Sequence, residues 1–158
     1  MKQTSPEERV QAVLASQKLA VLATESGGQP YSSLVVIAAT DDLRHVLFCT
    51  SRETRKFRNL NANARVSLLV DTRSNSDSDL SEALAVTVIG EAAEVRDAEE
   101  LRTLTAVYLA QNGHLAAFAG SPRNALVRVD VSTYQVNSFT ESWTVDVDRR
   151  GEAGTTPP

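Results

Sequence analysis

The sequence predicts a mainly β protein of the α+β class, built as an antiparallel barrel with helices on its outside. Seven segments of the 158 residues have the apolar, β-branched composition of strands, whereas only three have the spacing of an amphipathic helix. Short polar turns join the first three strands, which favours an antiparallel meander over parallel strands with crossover helices. The last two strands alternate apolar and polar residues, as antiparallel strands with one solvated face do. A closed antiparallel barrel satisfies all three observations.

The N-terminal half is predicted to contain two helices and four strands. Ser5 caps the first helix, Pro6 occupies its first turn and Glu8 completes a capping box, so the helix should end near Ser16. A second, short helix is predicted at 52–60. The strands are predicted at 18–24, 31–40, 44–50 and 65–71. The second strand is long and apolar, and we expect it to be covered on both faces.

The polar segment 72–81 is too long for a tight turn and is interpreted either as a flexible loop or as a binding loop. A strand at 84–95 follows, and Gly90 marks a bend or bulge within it. Asp97 then caps a helix that Asn112 and Gly113 end.

Two strands at 126–136 and 139–147 complete the predicted fold, with Phe139 and Trp143 on one face of the second. We expect one folded domain at 1–147. Residues 148–158 have almost no apolar content and are expected to form a disordered tail.

The composition excludes several classes of function. The net charge of −4 argues against an overall electrostatic attraction to nucleic acid. Cys49 is the only cysteine, which excludes an intrachain disulfide and a multi-thiolate metal site, and two histidines are too few for a His-rich centre. Cys49 lies within an apolar strand and is interpreted as a core residue. No apolar run approaches the ~18–20 residues of a membrane helix, and the N-terminus lacks a signal-peptide core, so a cytoplasmic protein is expected.

Cationic side chains concentrate at 44–65, where six of them accompany Glu53 as the only acidic residue. They are densest where the third predicted strand leads into the second helix. The first turn of a helix offers unpaired N–H groups and a partial positive charge. Side chains of this junction would add further hydrogen-bond donors and full positive charges. The hydroxyl groups belong to Thr50, Ser51 and Thr54, and the cations are Arg55 and Lys56. The junction therefore favours an anion, and a phosphate monoester in particular.

A simpler interpretation of the same residues is that Ser51 caps the helix and the cations lie on its solvated face. Cations near a helix N-terminus are mildly unfavourable for the helix, which supports a bound anion. The sequence contains no G-x-x-x-x-G-K-[ST], G-x-G-x-x-G, G-x-S-x-G or H-E-x-x-H motif.

Four stretches together resemble the pyridoxamine 5′-phosphate oxidase-like FMN-binding split barrels, in particular the small FMN-binding proteins of general-stress and haem-utilisation type. They are the N-terminal helix, LAVLATESGGQPYSSLVVIAAT, HVLFCTSRETRKFRNL and VSLLVDTRSN. The resemblance covers about residues 5–147, and the combination of S-R-x-T-R-K-x-x-N-L with D-x-R-S-N is its most specific part.

The resemblance implies a split antiparallel barrel that binds FMN. The FMN phosphate would lie at Thr50, Ser51, Arg55 and Lys56, with Thr54 beside them. The flavin ring would lie along the second strand, largely through backbone contacts, at Ser32, Ser33, Leu34 and Val35. The family is usually a homodimer with two FMN sites at its interface, so the partner subunit would contribute Arg73, Ser74, Asn75 and Trp143. Trp143 could equally be a core residue.

The resemblance thus implies an FMN-dependent oxidoreductase with a small-molecule redox partner and an unknown substrate. The substrate-gripping Arg-x-His pair of the vitamin B6 oxidases has no counterpart, because no histidine follows His114. Two alternatives stay open: a non-catalytic protein that senses or carries FMN, and a relative that uses haem or a deazaflavin.

Overall fold

A computed structural model describes residues 4–147 and the backbone of 153–156, and it confirms an antiparallel barrel with peripheral helices. The strands are β1 (Leu19–Ser26), β2 (Gln29–Ala39), β3 (His45–Ser51), β4 (Arg65–Asp71), β5 (Ala85–Glu94), β6 (Asn124–Asn137), β7 (Ser142–Val147) and β8 (Ala153–Thr156). The helices are α1 (Pro6–Ser16), α2 (Arg55–Ala62), α3 (Asp79–Glu82), α4 (Ala98–Gln111) and α5 (Ala116–Ala119), with a 3₁₀ turn at Gly113–Leu115.

Six strands form the closed barrel, in the order β3-β2-β1-β4-β5-β6, and β3 pairs with β6 to close it. β6 is the longest strand, at 14 residues. Its first half pairs with β3, and its last five residues pair with β7. β7 and β8 therefore extend the sheet beyond the barrel.

The barrel core and α1 form as the sequence predicts. The Ser5 hydroxyl accepts a hydrogen bond from the Glu8 N–H, and the Glu8 carboxylate accepts one from the Ser5 N–H. This capping box starts a helix whose Val10, Val13 and Leu14 join the main core beneath it. Inward-facing residues of β1 to β7, together with Leu43 before β3 and Phe57 and Leu60 of α2, supply the rest of that core.

The prediction that β2 is covered on both faces is wrong for its first half. Ile37 joins the main core, and Ala38 lies under α4 in a second apolar cluster. Leu34 at the middle of the strand, however, is 65% exposed, and Ser32 before it is exposed as well. The second cluster also contains Cys49, where burial raises the thiol pKa to about 11, and Cys49 is therefore a core residue.

α2 begins at Arg55, three residues later than predicted, because Thr54 rather than Ser51 is its N-cap. β7 begins at Ser142 because a turn occupies 138–141, where the Ser138 N–H donates to the Glu141 carbonyl. Phe139 lies in that turn and is 72% exposed, so the prediction that it shares a strand face with Trp143 is wrong.

The predicted bulge at Gly90 is confirmed by a register shift between Ile89 and Gly90. In the segment predicted as a tail, Ala153–Thr156 pairs with β7 as β8 and is a strand. Backbone pairing at a sheet edge needs no apolar side chains, so composition could not indicate it. Residues 148–152, 157 and 158 of that segment lie outside the described residues, as do 1–3.

Candidate functional site

The junction between β3 and α2 is a tight turn held by its own hydroxyl groups. The Thr54 hydroxyl donates to the Ser51 carbonyl (2.8 Å) and accepts from the Phe57 N–H (3.4 Å), which caps α2. Since the Thr54 proton is used there, the Thr50 hydroxyl must donate across the 3.2 Å to the Thr54 oxygen. The Ser51 hydroxyl accepts from the Glu53 N–H, and within the described chain its own proton has no acceptor. Of the three predicted hydroxyl donors, only that of Ser51 is free to donate.

Two cations of the junction have no carboxylate partner among the described residues. Arg55 is exposed, and its guanidinium lies over the Tyr31 ring of β2, 4.5 Å from the ring centroid. Lys56 is half-buried, and no described residue forms an ion pair or hydrogen bond with its side chain. Both residues lie in the first turn of α2, where backbone N–H groups are unpaired and the helix dipole is positive.

The other charges of the junction are already paired. Arg52 donates to the Pro122 and Asn124 carbonyls, at 2.7 Å each, and to the Glu94 carboxylate. Arg58 donates to the Glu53 carbonyl, while the Glu53 carboxylate pairs with Arg123 at 3.1 Å. The carboxylate of Glu53 thus pairs with Arg123 and not with Arg55 or Lys56, which leaves these two cations available to an anion.

β2 and β3 separate beside this junction. Their ladder has three pairs and ends at Ile37 and Phe48, although both strands continue beyond it and pair with β1 and β6. The same register, continued, would set Leu34 opposite Ser51 and Val35 opposite Thr50. The predicted ring-binding and phosphate-binding residues therefore lie on the two sides of one opening, which we call the split.

The four β2 residues predicted to bind the ring differ in orientation. Ser32 and Leu34 are exposed on the outer face, whereas Val35 is buried in the barrel core, so its side chain cannot reach a ligand outside. Ser33 pairs with the buried Leu22 and faces inward, and its hydroxyl oxygen is buried without a partner in the described chain. An unpaired buried hydroxyl is uncommon and costs free energy.

The residues predicted to reach a partner subunit's flavin are engaged within their own chain. Arg73 pairs with Asp71 at 3.0 Å. The Ser74 and Asn75 N–H groups donate to the Asp79 carboxylate, at 2.7–3.0 Å. These hydrogen bonds, the Ser74 N–H bond foremost, hold the Asp79 pKa below its ordinary value. The segment 72–81 is thus ordered around the Asp79 carboxylate. The polar sequence of the segment did not predict these hydrogen bonds between Asp79 and the residues before it.

Trp143 is half-buried and packs against the barrel core, with the Arg9 guanidinium of α1 4.4 Å from its ring centroid. Trp143 thus packs within its own chain as the core alternative describes, and a contact from it to a partner's flavin stays a prediction.

Tyr31, Arg52 and Tyr108 were missed as site residues. Tyr31 positions Arg55, Arg52 anchors the turn before α2, and the Tyr108 hydroxyl lies at the split. Nothing in their local sequence distinguishes them, because their partners are 24 to 72 residues away along the chain.

A separate groove of about 530 Å³ lies on the outer face of the barrel. It is lined by β1, β4 and β5 residues that include Glu25, Arg65 and Glu91, and by none of the predicted site residues. Within the described residues, no group of His, Cys, Asp or Glu side chains is arranged to hold a metal ion. No helix in the described part of the chain is long and apolar enough to cross a membrane.

Comparisons with known proteins agree with this architecture. The family model for pyridoxamine 5′-phosphate oxidase matches residues 6–138. No curated protein matches the sequence significantly.

Solved structures show the same fold at low sequence identity. A haem-binding protein from Mycobacterium smegmatis has a TM-score of 0.81 at 20% identity, over 92% of this chain and 60% of that one. An FAD-binding protein from Mesorhizobium loti has a TM-score of 0.68 at 21% identity, over 85% and 93%. General Stress Protein 26 from Bacillus anthracis has a TM-score of 0.63 at 18% identity, over 82% and 92%.

This chain spans less than two thirds of the length of the Mycobacterium protein. Two of these neighbours are named for different groups, haem and FAD, and at such identities all three show the fold alone. The family match, which covers most of the chain, together with the closed barrel and its split, shows that the chain belongs to the pyridoxamine 5′-phosphate oxidase-like split-barrel family.

Proposed function

We propose that this protein binds FMN and acts as a flavin-dependent oxidoreductase, with the phosphate at the β3–α2 junction and the ring along β2. One observation carries the proposal. Arg55 and Lys56 lie together in the first turn of a helix with no carboxylate partner in the described chain, while the neighbouring Arg52 and Arg58 are both engaged. Two cations left unpaired beside free backbone N–H groups fit a phosphate dianion.

The residues around the split fit the remainder of the cofactor. Ser51 retains a hydroxyl proton for the phosphate. The backbone groups of Ser32 and Leu34 face the split, where β3 no longer pairs with them. Bound FMN would supply hydride or electron transfer, so the chain needs to bind and orient the cofactor rather than provide a general acid or base.

We also propose a homodimer with the FMN sites at its interface. The outer faces of β2, β1 and β4 carry Leu34, Val21 and Leu69 in one cross-strand row, with Leu19 and Ile89 beside it. Leu34 and Leu19 are more than half exposed, and an apolar row of this kind indicates a surface that another protein covers. We expect the activity to be cytoplasmic and to use a small-molecule redox partner.

Partner-subunit contacts to the flavin remain part of the proposal. Arg73, Ser74 and Asn75 would first have to exchange their hydrogen bonds to Asp71 and Asp79 for bonds to the cofactor.

The test is a titration of flavin-free protein with FMN. Binding is measured by the quenching of flavin fluorescence, and riboflavin is the control ligand. We expect saturable binding at one FMN per chain, and much weaker binding of riboflavin because it lacks the phosphate. Equal affinity for the two ligands would refute the phosphate site, and no binding of FMN would refute the proposed function.

A non-catalytic FMN carrier or sensor is the second candidate, since the hydroxyl groups and cations of the junction would hold the phosphate whether or not the flavin reacts. Anaerobic addition of NADH or NADPH separates the two. Bleaching of the flavin band followed by recovery in air supports the oxidoreductase, whereas a flavin that no donor reduces supports the carrier.

Haem and deazaflavin are the alternative ligands, haem because a structural neighbour is a haem-binding protein. The candidate axial ligands would be His45, whose Nδ1 lies 2.9 Å from Asp130, and His114. Haemin should give no sharp Soret shift if FMN is the ligand. Mass spectrometry of the ligand extracted from purified protein identifies a deazaflavin directly.

A further inference from the structure

Buried Tyr108 of α4 lies where the β2–β3 ladder stops. The Thr40 N–H donates to the His45 carbonyl at 3.0 Å, so Thr40 is a hydrogen-bonded residue facing β3. In an antiparallel ladder such residues alternate, which makes Ala38 and then Val36 the next ones along β2. Ala38 pairs with Leu47, and the register would pair Val36 with Cys49. That last pair is the first one missing from the ladder.

The Tyr108 hydroxyl occupies the position of the missing pair. It donates to the Val36 carbonyl at 3.3 Å, and the Tyr108 side chain packs with Cys49 in the second apolar cluster. In a continuous ladder the Cys49 N–H would bond directly to the Val36 carbonyl. Here the Tyr108 hydroxyl is the donor to that carbonyl instead, so the carbonyl is satisfied although the strands stand apart.

The Tyr108 ring is held firmly in this position. It is only 1% exposed and packs in the second apolar cluster with Ala38, Leu47, Cys49 and Leu104. α4 therefore presents the hydroxyl at a fixed place rather than as one rotamer among several.

We propose that Tyr108 is a positioning residue that holds β2 and β3 apart and so keeps the split open for the cofactor. The inference deepens the proposed function and rests on it for the identity of the ligand. Beyond Tyr108 the split continues toward Leu34 and Ser51. The backbone groups of Leu34 and the hydroxyl group of Ser51 can bind a ligand there only while β2 and β3 stay unpaired.

The test compares Tyr108→Phe with Tyr134→Phe. Both tyrosines are buried and donate to a main-chain carbonyl, but Tyr134 donates to Leu43, away from the split. Each variant loses one hydroxyl and keeps its ring, so the two should unfold at similarly lowered urea concentrations. Only Tyr108→Phe should alter the split.

The first readout needs no ligand. In Tyr108→Phe protein without flavin, we expect a through-hydrogen-bond NMR coupling between the Cys49 amide nitrogen and the Val36 carbonyl carbon, together with slower exchange of the Cys49 amide. Neither should occur in the wild type or in Tyr134→Phe. A Cys49 amide that behaves alike in all three proteins overturns the proposal.

The second readout is the dissociation constant for FMN. We expect about tenfold weaker binding in Tyr108→Phe, the equivalent of roughly one hydrogen bond, and unchanged binding in Tyr134→Phe. Wild-type affinity in Tyr108→Phe would overturn the link between the split and the cofactor. If wild-type protein binds no FMN, the proposed function fails, while the amide readout still decides whether Tyr108 separates the strands.

Discussion

Arg55 and Lys56 are adjacent in the chain but differ in their surroundings. Arg55 rests on the Tyr31 ring, whereas the half-buried Lys56 has no polar partner among the described residues. An ammonium group in that state gains more from an incoming anion than one already paired with a carboxylate.

Replacing both cations, in Arg55→Ala with Lys56→Ala, should weaken FMN binding by about 3 kcal/mol or more, roughly a hundredfold or more in Kd. The reason is the loss of at least two charge-assisted hydrogen bonds, each contributing about 1.5–3 kcal/mol. Fluorescence titration measures the change.

The control is Arg44→Ala with Arg102→Ala, which removes the same charge from the residue before β3, at the opposite end of that strand from the junction, and from an exposed position on α4. It should leave the Kd within a factor of about two at 0.15 M salt, because charges beyond a Debye length are screened. Equal losses in the two double variants would show that the net charge of the protein, and not the junction, attracts the ligand.

The sequence predicted this residue-scale site incompletely. Cation density and the strand-to-helix transition identified Arg55 and Lys56, because both signals are local. The use of the Thr50 and Thr54 protons within the turn could not be predicted, since it depends on where the helix starts. The pairing of Glu53 with Arg123 depends on tertiary structure and was equally hidden.

At the scale of elements, the connection between β4 and β5 is organised by Asp79. The carboxylate accepts hydrogen bonds from the Ser74, Asn75 and Ser76 N–H groups, and these lower its pKa from the ordinary 3.8. A carboxylate with a lowered pKa stabilises the ordered loop above its ordinary pKa, and that stabilisation is lost as pH falls through the folded-state value.

Acidification below pH 3.8 should therefore release the loop, and the amide NMR signals of Ser74, Asn75 and Ser76 should move toward random-coil positions. Asp79→Asn should produce the same shifts at pH 7. Asp77→Asn alters an exposed carboxylate of the same loop that accepts no hydrogen bond from a described residue, and it should leave these signals in place. Signals that ignore both pH and Asp79→Asn would refute this role of Asp79.

Gly90 sets the bulge that lets β5 pair with β4 and β6 at once. A Cβ at this position would overlap the Asp130 carbonyl oxygen and lie 3.1 Å from a Val129 methyl group. Gly90→Ala should therefore lower the free energy of unfolding by about 1–3 kcal/mol.

Urea denaturation measures this change. Gly113→Ala is the matched control, because a Cβ there meets no described atom within 4 Å, and it should change stability by less than about 0.5 kcal/mol. Equal stability of both variants would mean that β6 moves aside to accommodate the methyl group.

Helices, strands and bulges were predictable where neighbouring residues in the sequence determine them. They were not predictable where contacts between distant parts of the chain determine them. The capping box of α1 and the bulge at Gly90 are marked in the sequence and formed as expected. β8 and α3 have no apolar pattern that would have predicted them. β8 forms through backbone pairing with β7, and Asp79 of α3 accepts a hydrogen bond from the preceding loop. The exposed outer face of β2 looks like a core strand in the sequence, since apolar residues that face a partner cannot be told from those that face a helix.

At the scale of the whole molecule, the apolar row on β2, β1 and β4 predicts the association state. Leu69 lies in the middle of that surface, paired with Val21 and Thr87. We expect a homodimer by analytical ultracentrifugation, and Leu69→Asp should shift it to monomer because a carboxylate would be buried unpaired in the interface.

Leu101→Asp is a matched control for that variant, since Leu101 on α4 is 37% exposed and Leu69 is 36% exposed. It should remain dimeric. Dissociation of both variants, or a monomeric wild type, would show that the row does not form the interface.

Arg52 ties three distant parts of the chain together: the turn before α2, the carbonyls of Pro122 and Asn124, and the Glu94 carboxylate at the end of β5. The turn is thereby fixed to the strands β3 and β6 where they pair, so this pairing cannot open there without also distorting the β3–α2 junction. Thermodynamic linkage then requires the converse. Any ligand bound at the β3–α2 junction should slow hydrogen exchange of the backbone amides that pair β3 with β6. It should also raise the melting temperature of the protein in proportion to the logarithm of the ligand concentration.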